Sequence, residues 1–243
     1  MRSFSNLYIF AFASVMVILV AALLSFVAEE LRPLQDRNVE LEKKIDILSS
    51  VQMTKGIDEA KDKARFVEEN FEKYIKESYV VNAEGEIIEG MNAFEVTKNI
   101  KAEIDKPGTE RSLPVFLFES EDGSTKYILP VRGKGLWGPI WGYVALKSDF
   151  NTISGTVFDH SKETPGLGAE INMSWFEDAF IGKMIFDESG KFTSIEVVKG
   201  GADPSDKHSV DAISGGTITS KGLEDMLSDC FAPYVNYFKK QMN

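Results

Sequence analysis

The sequence predicts an α+β fold: antiparallel β-hairpins with packed helices, preceded by one N-terminal membrane-spanning helix. Three observations lead to this prediction. Residues 7–27 form an uncharged apolar run, short apolar segments flank turn residues three times between residues 79 and 198, and helical apolar stripes stand before and after them. Apolar runs separated by turn residues are typical of hairpins, and consecutive hairpins build antiparallel sheets.

The apolar run at residues 7–27 is long enough to cross a bilayer. Its 21 residues carry no charge, and a helix of that length covers roughly 30 Å. A cleaved signal peptide is the alternative, but its apolar stretch is usually about 7 to 15 residues. The residues that follow Phe26 also form a poor cleavage site. We therefore expect an uncleaved single-pass anchor.

The charges that flank this run predict its orientation. Arg2 and the amino terminus precede it, whereas Glu29 and Glu30 follow it. The positive-inside tendency places residues 1–6 in the cytoplasm. The remainder of the chain is then expected on the outer side of the membrane.

The composition excludes several classes of function. With 27 basic and 38 acidic residues the net charge is -11, which argues against binding nucleic acid through bulk electrostatics. Cys230 is the one cysteine of the sequence, so it holds no intrachain disulfide and no multi-cysteine iron–sulfur or zinc site. His160 and His208 are its two histidines and leave little basis for a histidine metal centre.

Two helical patterns follow the anchor. Residues 28–56 combine Pro33 with a helically spaced apolar stripe, which predicts a juxtamembrane helix and a connector. An extracytoplasmic domain is expected over residues 57–243, and it opens with a second amphipathic helix. The apolar positions of that helix are Ile57, Ala60, Ala64, Val67, Phe71, Tyr74 and Ile75.

The three predicted hairpins come next. They pair residues 79–81 with 86–88, residues 115–118 with 126–129, and residues 183–186 with 193–198. Residues 140–146 alternate as a strand, and residues 170–179 form a short helical pattern. The chain ends on a helical stripe that Pro233 interrupts, formed by Leu223, Met226, Leu227, Cys230 and Tyr234.

Residues 133–138 satisfy the pattern G-x-G-x-x-G. In a dinucleotide-binding fold this pattern must leave a strand and open a helix. Here Pro139 and an alternating strand pattern follow, so the glycines are expected to serve a β-loop. Trp137 in that loop has two interpretations, because tryptophan beside permissive backbone suits either a planar ligand or a neighbouring subunit.

A turn-rich stretch at residues 159–168 contains Asp159, His160 and Glu163. A metal site built from these residues would need a helix to present them and a third strong ligand, and the sequence offers neither. We therefore predict no metal site here.

Residues 211–220 form a glycine- and hydroxyl-rich loop directly before the last helical stripe. Thr219 or Ser220 is expected to cap that helix. A helix start of this kind favours a phosphate group, since free amides and the positive end of the helix dipole meet there. An ordinary cap with a glycine turn explains the same composition, and composition leaves both interpretations open.

Taken together, these segments resemble NqrC, the C subunit of the bacterial sodium-translocating NADH:quinone reductases, a family built on an FMN-binding domain. The similarity covers nearly the whole chain. After the anchor it includes Arg32–Gln35, Gly135–Gly138, Glu163–Gly168, Lys199–Gly201 and Asp211–Ser220.

The resemblance implies a covalent cofactor. The last of these segments matches the family's flavinylation motif, Asp-x-x-Ser/Thr-Gly-Ala-Thr. Thr217 occupies the position of the threonine that, in the family, is esterified to the phosphate of FMN. Gly216 replaces the usual alanine. Asp211 is implied as the residue that the flavin transferase recognises, with FAD as donor in a magnesium-dependent transfer.

The resemblance also suggests which residues surround the cofactor. Ser214, Gly215, Gly216 and Thr219 are expected near the phosphate, where amides and hydroxyls offset its charge. The flavin ring is expected near a second group of residues: Glu163, Thr164, Leu167, Gly168 and Trp137.

The function that this resemblance implies is electron transfer through bound FMN within an NADH:ubiquinone reductase that exports sodium. The chain then belongs to an enzyme complex in the bacterial cytoplasmic membrane, with subunits A, B, D, E and F as partners. Two alternatives stay open at this stage. One is the G subunit of the related ferredoxin:NAD oxidoreductase complex. The other is a membrane-anchored ligand-binding sensor, although the sequence shows no second span or cytoplasmic output domain.

Overall fold

The computed structural model describes residues 5–242, which fall into two compact units, Met1–Lys43 and Lys44–Asn243. Residues 1–4, with Arg2 and most of the predicted cytoplasmic segment, lie outside the described residues. The first unit belongs to a helix, α1 (Asn6–Ser49). This helix is long and apolar enough to cross a membrane, and its apolar window is not buried.

Helix α1 continues where the sequence predicts a break between an anchor and a juxtamembrane helix. Pro33 lies inside it, because one lost backbone hydrogen bond does not end a helix of this length. Ile47, Leu48 and Val51 are buried in the second unit. The compact unit therefore begins at Lys44 and not at residue 57, and α1 ends at Ser49.

The second unit combines one main sheet with helices on an α+β plan, as predicted. The helices after α1 are α2 (Lys63–Tyr74), α3 (Ala93–Lys98), α4 (Ile100–Ile104), α5 (Ser174–Glu177), α6 (Thr217–Phe231) and α7 (Val235–Met242). The strands are β1 (Ile75–Val81), β2 (Leu113–Glu119), β3 (Thr125–Lys134), β4 (Pro139–Lys147), β5 (Ile153–His160), β6 (Glu196–Val198) and β7 (Ser209–Asp211). Short 3₁₀ turns cover Gly108–Glu110, Gly168–Asn172, Asp178–Phe180 and Ala232–Tyr234.

The main sheet is antiparallel and follows chain order, β1-β2-β3-β4-β5. The second predicted hairpin is confirmed, with Phe116 opposite Ile128. The first is confirmed in a shorter form, since Val81 bridges Ile87 beyond the end of β1.

The third predicted hairpin, residues 183–198, is confirmed only next to its turn. Phe186 bridges Phe192, and the Thr193 amide donates to the Ile185 carbonyl at 2.9 Å, whereas β6 pairs in parallel with β7. The partner of β6 is β7, which lies farther along the chain. Turn residues predict only the pairing of neighbouring runs, so they do not predict this pair.

Two elements differ from the sequence pattern. Strand β5 was not predicted, because Ser154, Gly155 and Thr156 interrupt its apolar alternation. Helix α2 begins at Lys63 rather than at residue 57, since Asp62 caps it by accepting a hydrogen bond from the Arg65 amide at 3.1 Å.

Helix α6 packs against β3. A Cβ at Gly133 would lie 2.6 Å from Cβ of Met226, and one at Gly222 would collide with the Lys134 carbonyl. The Cys230 thiol donates to the Arg132 carbonyl at 3.4 Å, and burial raises the pKa of this thiol to about 12. Cys230 is therefore a packing residue and not a thiolate ligand or nucleophile.

Candidate functional site

The start of α6 has no side-chain cap. Gly216 occupies the N-cap position, and the first turn contains no acidic residue. The predicted caps are wrong, because α6 begins at Thr217, so Thr219 and Ser220 lie inside the helix rather than at its N-cap. Thr219 donates to Glu163 Oε2 at 2.6 Å, and Ser220 Oγ accepts from the Ile213 amide at 3.0 Å. The first-turn amides thus remain available to another acceptor.

Two glycines before α6 allow the chain to pack closely on the 163–168 segment. Gly215 has φ +77°, and a Cβ there would lie 2.6 Å from Cδ2 of Leu167. At Gly216 a Cβ would lie 3.0 Å from Ile213 Cγ2 and 3.2 Å from the Gly168 nitrogen. Gly215 is therefore required by backbone conformation and by space, whereas Gly216 leaves nearly enough room for alanine.

Glu163 joins three parts of the site. Its side chain is buried, with the residue 5% exposed. Oε1 accepts from the Trp137 amide at 2.8 Å, and Oε2 accepts from the Thr219 hydroxyl at 2.6 Å. One carboxylate thus ties together the β3–β4 loop, the 163–168 segment and the first turn of α6.

Glycines make room for this carboxylate. A Cβ at Gly135 or at Gly168 would lie 2.5 Å from one of its oxygens. The Glu163 amide donates to Nδ1 of His160 at 3.3 Å, which fixes the backbone where the segment leaves β5. Hydrogen bonds to a buried carboxylate are stronger than neutral ones, and removing one leaves a costly unpaired group.

Three of the remaining predicted ring residues lie on the surface of this cluster, whereas Gly168 is buried. Thr164 is exposed, Leu167 is 42% exposed and Trp137 is 63% exposed. Two apolar residues that sequence analysis missed stand beside them: Leu136 is 43% exposed and Ile218 is 61% exposed. Each adjoins a predicted site residue in sequence, and exposure alone distinguishes them from core residues.

The hydroxyls around the start of α6 differ sharply in accessibility. Ser209, Thr219 and Ser220 are buried, whereas Ser214 is exposed and Thr217 is partly exposed. Thr217 is the first residue of α6. Within the described residues its hydroxyl makes no hydrogen bond. Among the hydroxyl groups of residues 209–220, only those of Ser214 and Thr217 are therefore accessible to a large reagent.

Asp211 ends β7 and borders the glycine pair of the 199–201 segment. Its Oδ1 accepts from the Ala202 amide at 2.6 Å. Gly200 and Gly201 both adopt positive φ. The Asp211 side chain is exposed, so it holds this turn while it stays accessible at the surface.

The two histidines contact different parts of the chain. His160 supports Glu163, whereas His208 Nδ1 lies 2.7 Å from the Met184 carbonyl oxygen. Between residues 5 and 242 no three His, Cys, Asp or Glu side chains are grouped to hold a metal ion.

Comparison with known families matches residues 135–232 to the FMN-binding domain. The matched range contains the Trp137 loop, Glu163 and the start of α6. The C subunit of the Na(+)-translocating NADH-quinone reductase of Vibrio vulnificus (strain YJ016) is 38% identical over 216 residues, covering 83% of this chain and 81% of that protein. The chain belongs to this family, NqrC.

Further relatives agree with this assignment. The corresponding protein of Neisseria meningitidis serogroup B is 35% identical over 222 residues, covering 86% of this chain and 85% of that protein. The crystal structure of the C subunit from Parabacteroides distasonis aligns with a TM-score of 0.72 at 40% identity, covering 86% of this chain and 96% of that one. NqrC of Shewanella oneidensis aligns with a TM-score of 0.67 at 28% identity, over 83% and 97% of the two chains. The expected NqrC resemblance and the α+β fold are confirmed.

Proposed function

We propose that Thr217 carries FMN through a phosphoester bond, and that the chain is the redox-carrier subunit of a sodium-pumping NADH:ubiquinone reductase. One observation carries the proposal. Within an FMN-binding domain, an uncapped helix begins with a threonine whose hydroxyl is partly exposed and makes no hydrogen bond within the described chain.

The residues around Thr217 fit a phosphate. The first-turn amides of an α-helix point outward from its N-terminus, where the positive end of the helix dipole favours a negative charge. No carboxylate from that turn opposes it. Gly215 and Gly216 bring the backbone close without side chains in the way, and the Ser214 hydroxyl is exposed beside them.

Thr219 has a different role from the one the family resemblance suggested. Its hydroxyl is committed to Glu163, so its contribution to a phosphate comes from its backbone amide. Glu163 likewise serves as the support beneath the site, since both of its oxygens are occupied by protein donors.

The isoalloxazine ring is assigned to the exposed surface above this support. Leu167 and Trp137 offer apolar faces, Thr164 offers a hydroxyl, and Gly168 keeps the backbone close to α6. FMN supplies one- and two-electron redox chemistry when bound. The protein's part is to hold the ring in place, to hydrogen-bond its polar edge and to set the local charge.

Attachment requires a second protein. In the proposed transfer from FAD, the Thr217 oxygen forms a bond to the flavin phosphorus, the hydroxyl proton is released, and the bond to the departing AMP phosphate breaks. Asp211 is accessible next to the motif and is assigned to recognition by the flavin transferase. The glycines that precede Thr217 leave space for that enzyme.

The proposed setting is the bacterial cytoplasmic membrane. Helix α1 is the anchor, and the compact unit lies on the periplasmic side, with subunits A, B, D, E and F of the complex as partners. The relatives reported above are NqrC proteins, which supports this assignment over the G-subunit alternative. The FMN-binding domain supports a flavin carrier over a ligand sensor.

Two single substitutions in the same loop test the attachment site. Thr217→Ala and Ser214→Ala each remove one accessible hydroxyl, and each variant is produced with the flavin transferase. We expect Thr217→Ala to abolish the flavin fluorescence of the chain on a denaturing gel. Ser214→Ala should keep it, and Thr217→Ser should keep part of it because the attacking oxygen remains.

A separate measurement of folding shows whether a loss of flavin comes from the missing attachment site or from an unfolded chain. Circular dichroism of both alanine variants should match that of the native chain, since neither side chain is buried. Covalent flavin on the Thr217→Ala chain, or its loss from Ser214→Ala alone, would overturn the assignment.

A further inference from the structure

A cleft of about 430 Å³ opens between α4 and the strand ends of the β3–β4 hairpin. Lys101, Arg132 and Lys134 line it, and Asp105 is its one acidic lining residue among those described. Its volume lies in the range of small-molecule sites, roughly 300–1,000 Å³.

The concentration of positive charge in this cleft runs against the composition of the chain. Acidic residues outnumber basic ones by 38 to 27, so a lysine or arginine readily finds a carboxylate. The neighbouring Lys98 and Lys106 do so, pairing with Glu95 at 2.9 Å and with Glu103 at 2.8 Å. In the described chain, by contrast, the side chains of Lys101, Arg132 and Lys134 form no ion pair.

The walls of the cleft are fixed by buried contacts. Arg111 is 7% exposed and donates to the Ile104 carbonyl at 2.8 Å, at the end of α4. It also pairs with Asp229 of α6 at 2.9 Å. On the other wall the Arg132 guanidinium lies 6.0 Å from the centre of the Trp141 ring. This distance is that of a cation–π contact, and the planar guanidinium of an arginine favours bidentate recognition of anions.

We propose that this cleft binds a phosphate monoester or diester, through Arg132 with Lys101 and Lys134. Two ammonium groups and one guanidinium suit a phosphate better than a single carboxylate, because they supply donors from several directions. Ile104 and Pro139 give the cleft an apolar side for the organic part of the molecule. Thr217 is not among the lining residues, and the proposal does not depend on the proposed flavin.

The phosphate has two sources with the same chemistry, a soluble phosphate ester and the headgroup of an anionic phospholipid. The full chain is placed in phosphatidylcholine nanodiscs and titrated calorimetrically with sn-glycerol 3-phosphate, and separately with dihexanoyl phosphatidylglycerol. Saturable binding of either probe at one site per chain supports the proposal. The probe with the higher affinity identifies the source.

Variants connect the binding to this cleft. In the double variant Arg132→Gln/Lys134→Gln, affinity for the preferred probe should fall about tenfold or more. Lys76→Gln, on the exposed face of β1, is the matched control and should bind as the native chain does. A melting curve of each variant shows that the fold is retained.

Three results would overturn the proposal. The first is that neither probe shows saturable binding, and the second is that the double variant binds the preferred probe as tightly as the native chain does. The third is that a hexaglutamate peptide binds to the cleft while neither phosphate probe binds. The last result would assign the cleft to an acidic segment of a protein partner instead.

Discussion

Helices α2 and α3 begin differently from α6. Asp62 caps α2 through the Arg65 amide, and Asn92 caps α3 by accepting from the amides of Phe94 and Glu95 at 2.8 and 3.1 Å. Helix α6 has Gly216 at the same position and no side-chain acceptor. The first two helices are completed by their own sequence, whereas α6 leaves its first amides for an acceptor from elsewhere.

The hydroxyls near α6 show that this difference is built into the site. Thr219 and Ser220 lie in the first turns of α6, and both hydroxyls are committed to other partners: Thr219 donates to Glu163, and Ser220 accepts from the Ile213 amide. Glu163 therefore has two effects: it holds the Trp137 loop, and it engages the Thr219 hydroxyl.

The largest effect is expected from Glu163→Gln. An amide nitrogen cannot accept from the Trp137 amide or the Thr219 hydroxyl, so one of these donors loses its partner. The free energy of unfolding should fall by about 1 to 3 kcal/mol, and the yield of covalent flavin should fall severalfold because the start of α6 is no longer fixed. Urea titration and flavin fluorescence on denaturing gels measure the two effects.

Glu170→Gln is the matched control for this change. Glu170 lies just after the 163–168 segment and is half-buried, and within the described residues its side chain accepts only from the Gly166 amide, at 3.2 Å. Its substitution should leave the flavin yield close to native. If both variants lose flavin equally, Glu163 has no special position in the site.

An intermediate effect is expected when α6 receives a cap like that of α2. In Gly216→Asp, a carboxylate would accept from the first-turn amides and repel a phosphate. We expect a reduced yield of covalent flavin, measured by absorbance of the purified denatured chain. Gly216→Ala adds the Cβ without the carboxylate and should retain most of the flavin, since its neighbours need to shift by only a few tenths of an ångström. Equal yields in the two variants would show that the open helix start is not needed.

The smallest effect is expected at the internally capped helix. Asp62→Ala removes the acceptor for the Arg65 amide and should lower the free energy of unfolding by about 1 kcal/mol. The flavin yield should stay native, because α2 takes no part in the site. Chemical denaturation followed by tryptophan fluorescence measures the first quantity. A loss of flavin with this variant would contradict the separation between the two kinds of helix start.

Sequence patterns predicted the parts of the molecule that depend on local contacts. The β2–β3 hairpin, with Phe116 opposite Ile128, follows from two short runs around one turn. The β6–β7 pair joins residues such as Val197 and Val210 in parallel, so local turn signals predicted the wrong partner for residues 196–198.

In the site, too, local motifs were predictable from the sequence, whereas contacts between distant residues were not. The family motif singled out the segments that the fold brings together, including Thr217 and Glu163. The role of Glu163 was not predictable from the sequence, because its partners Trp137 and Thr219 are 26 and 56 residues away. Only the folded chain shows that this glutamate is buried and that Leu136 and Ile218, the sequence neighbours of Trp137 and Thr217, are exposed.

The most direct test of the central claim is to locate the flavin on the native chain by fragmentation mass spectrometry. Trypsin releases residues 208–221, a peptide that contains the exposed Ser214 as well as Thr217. The account predicts the added mass of FMN on fragments that contain Thr217 and not on those that end before it. FMN on Ser214, or an unmodified peptide from a chain produced with an active flavin transferase, would contradict it.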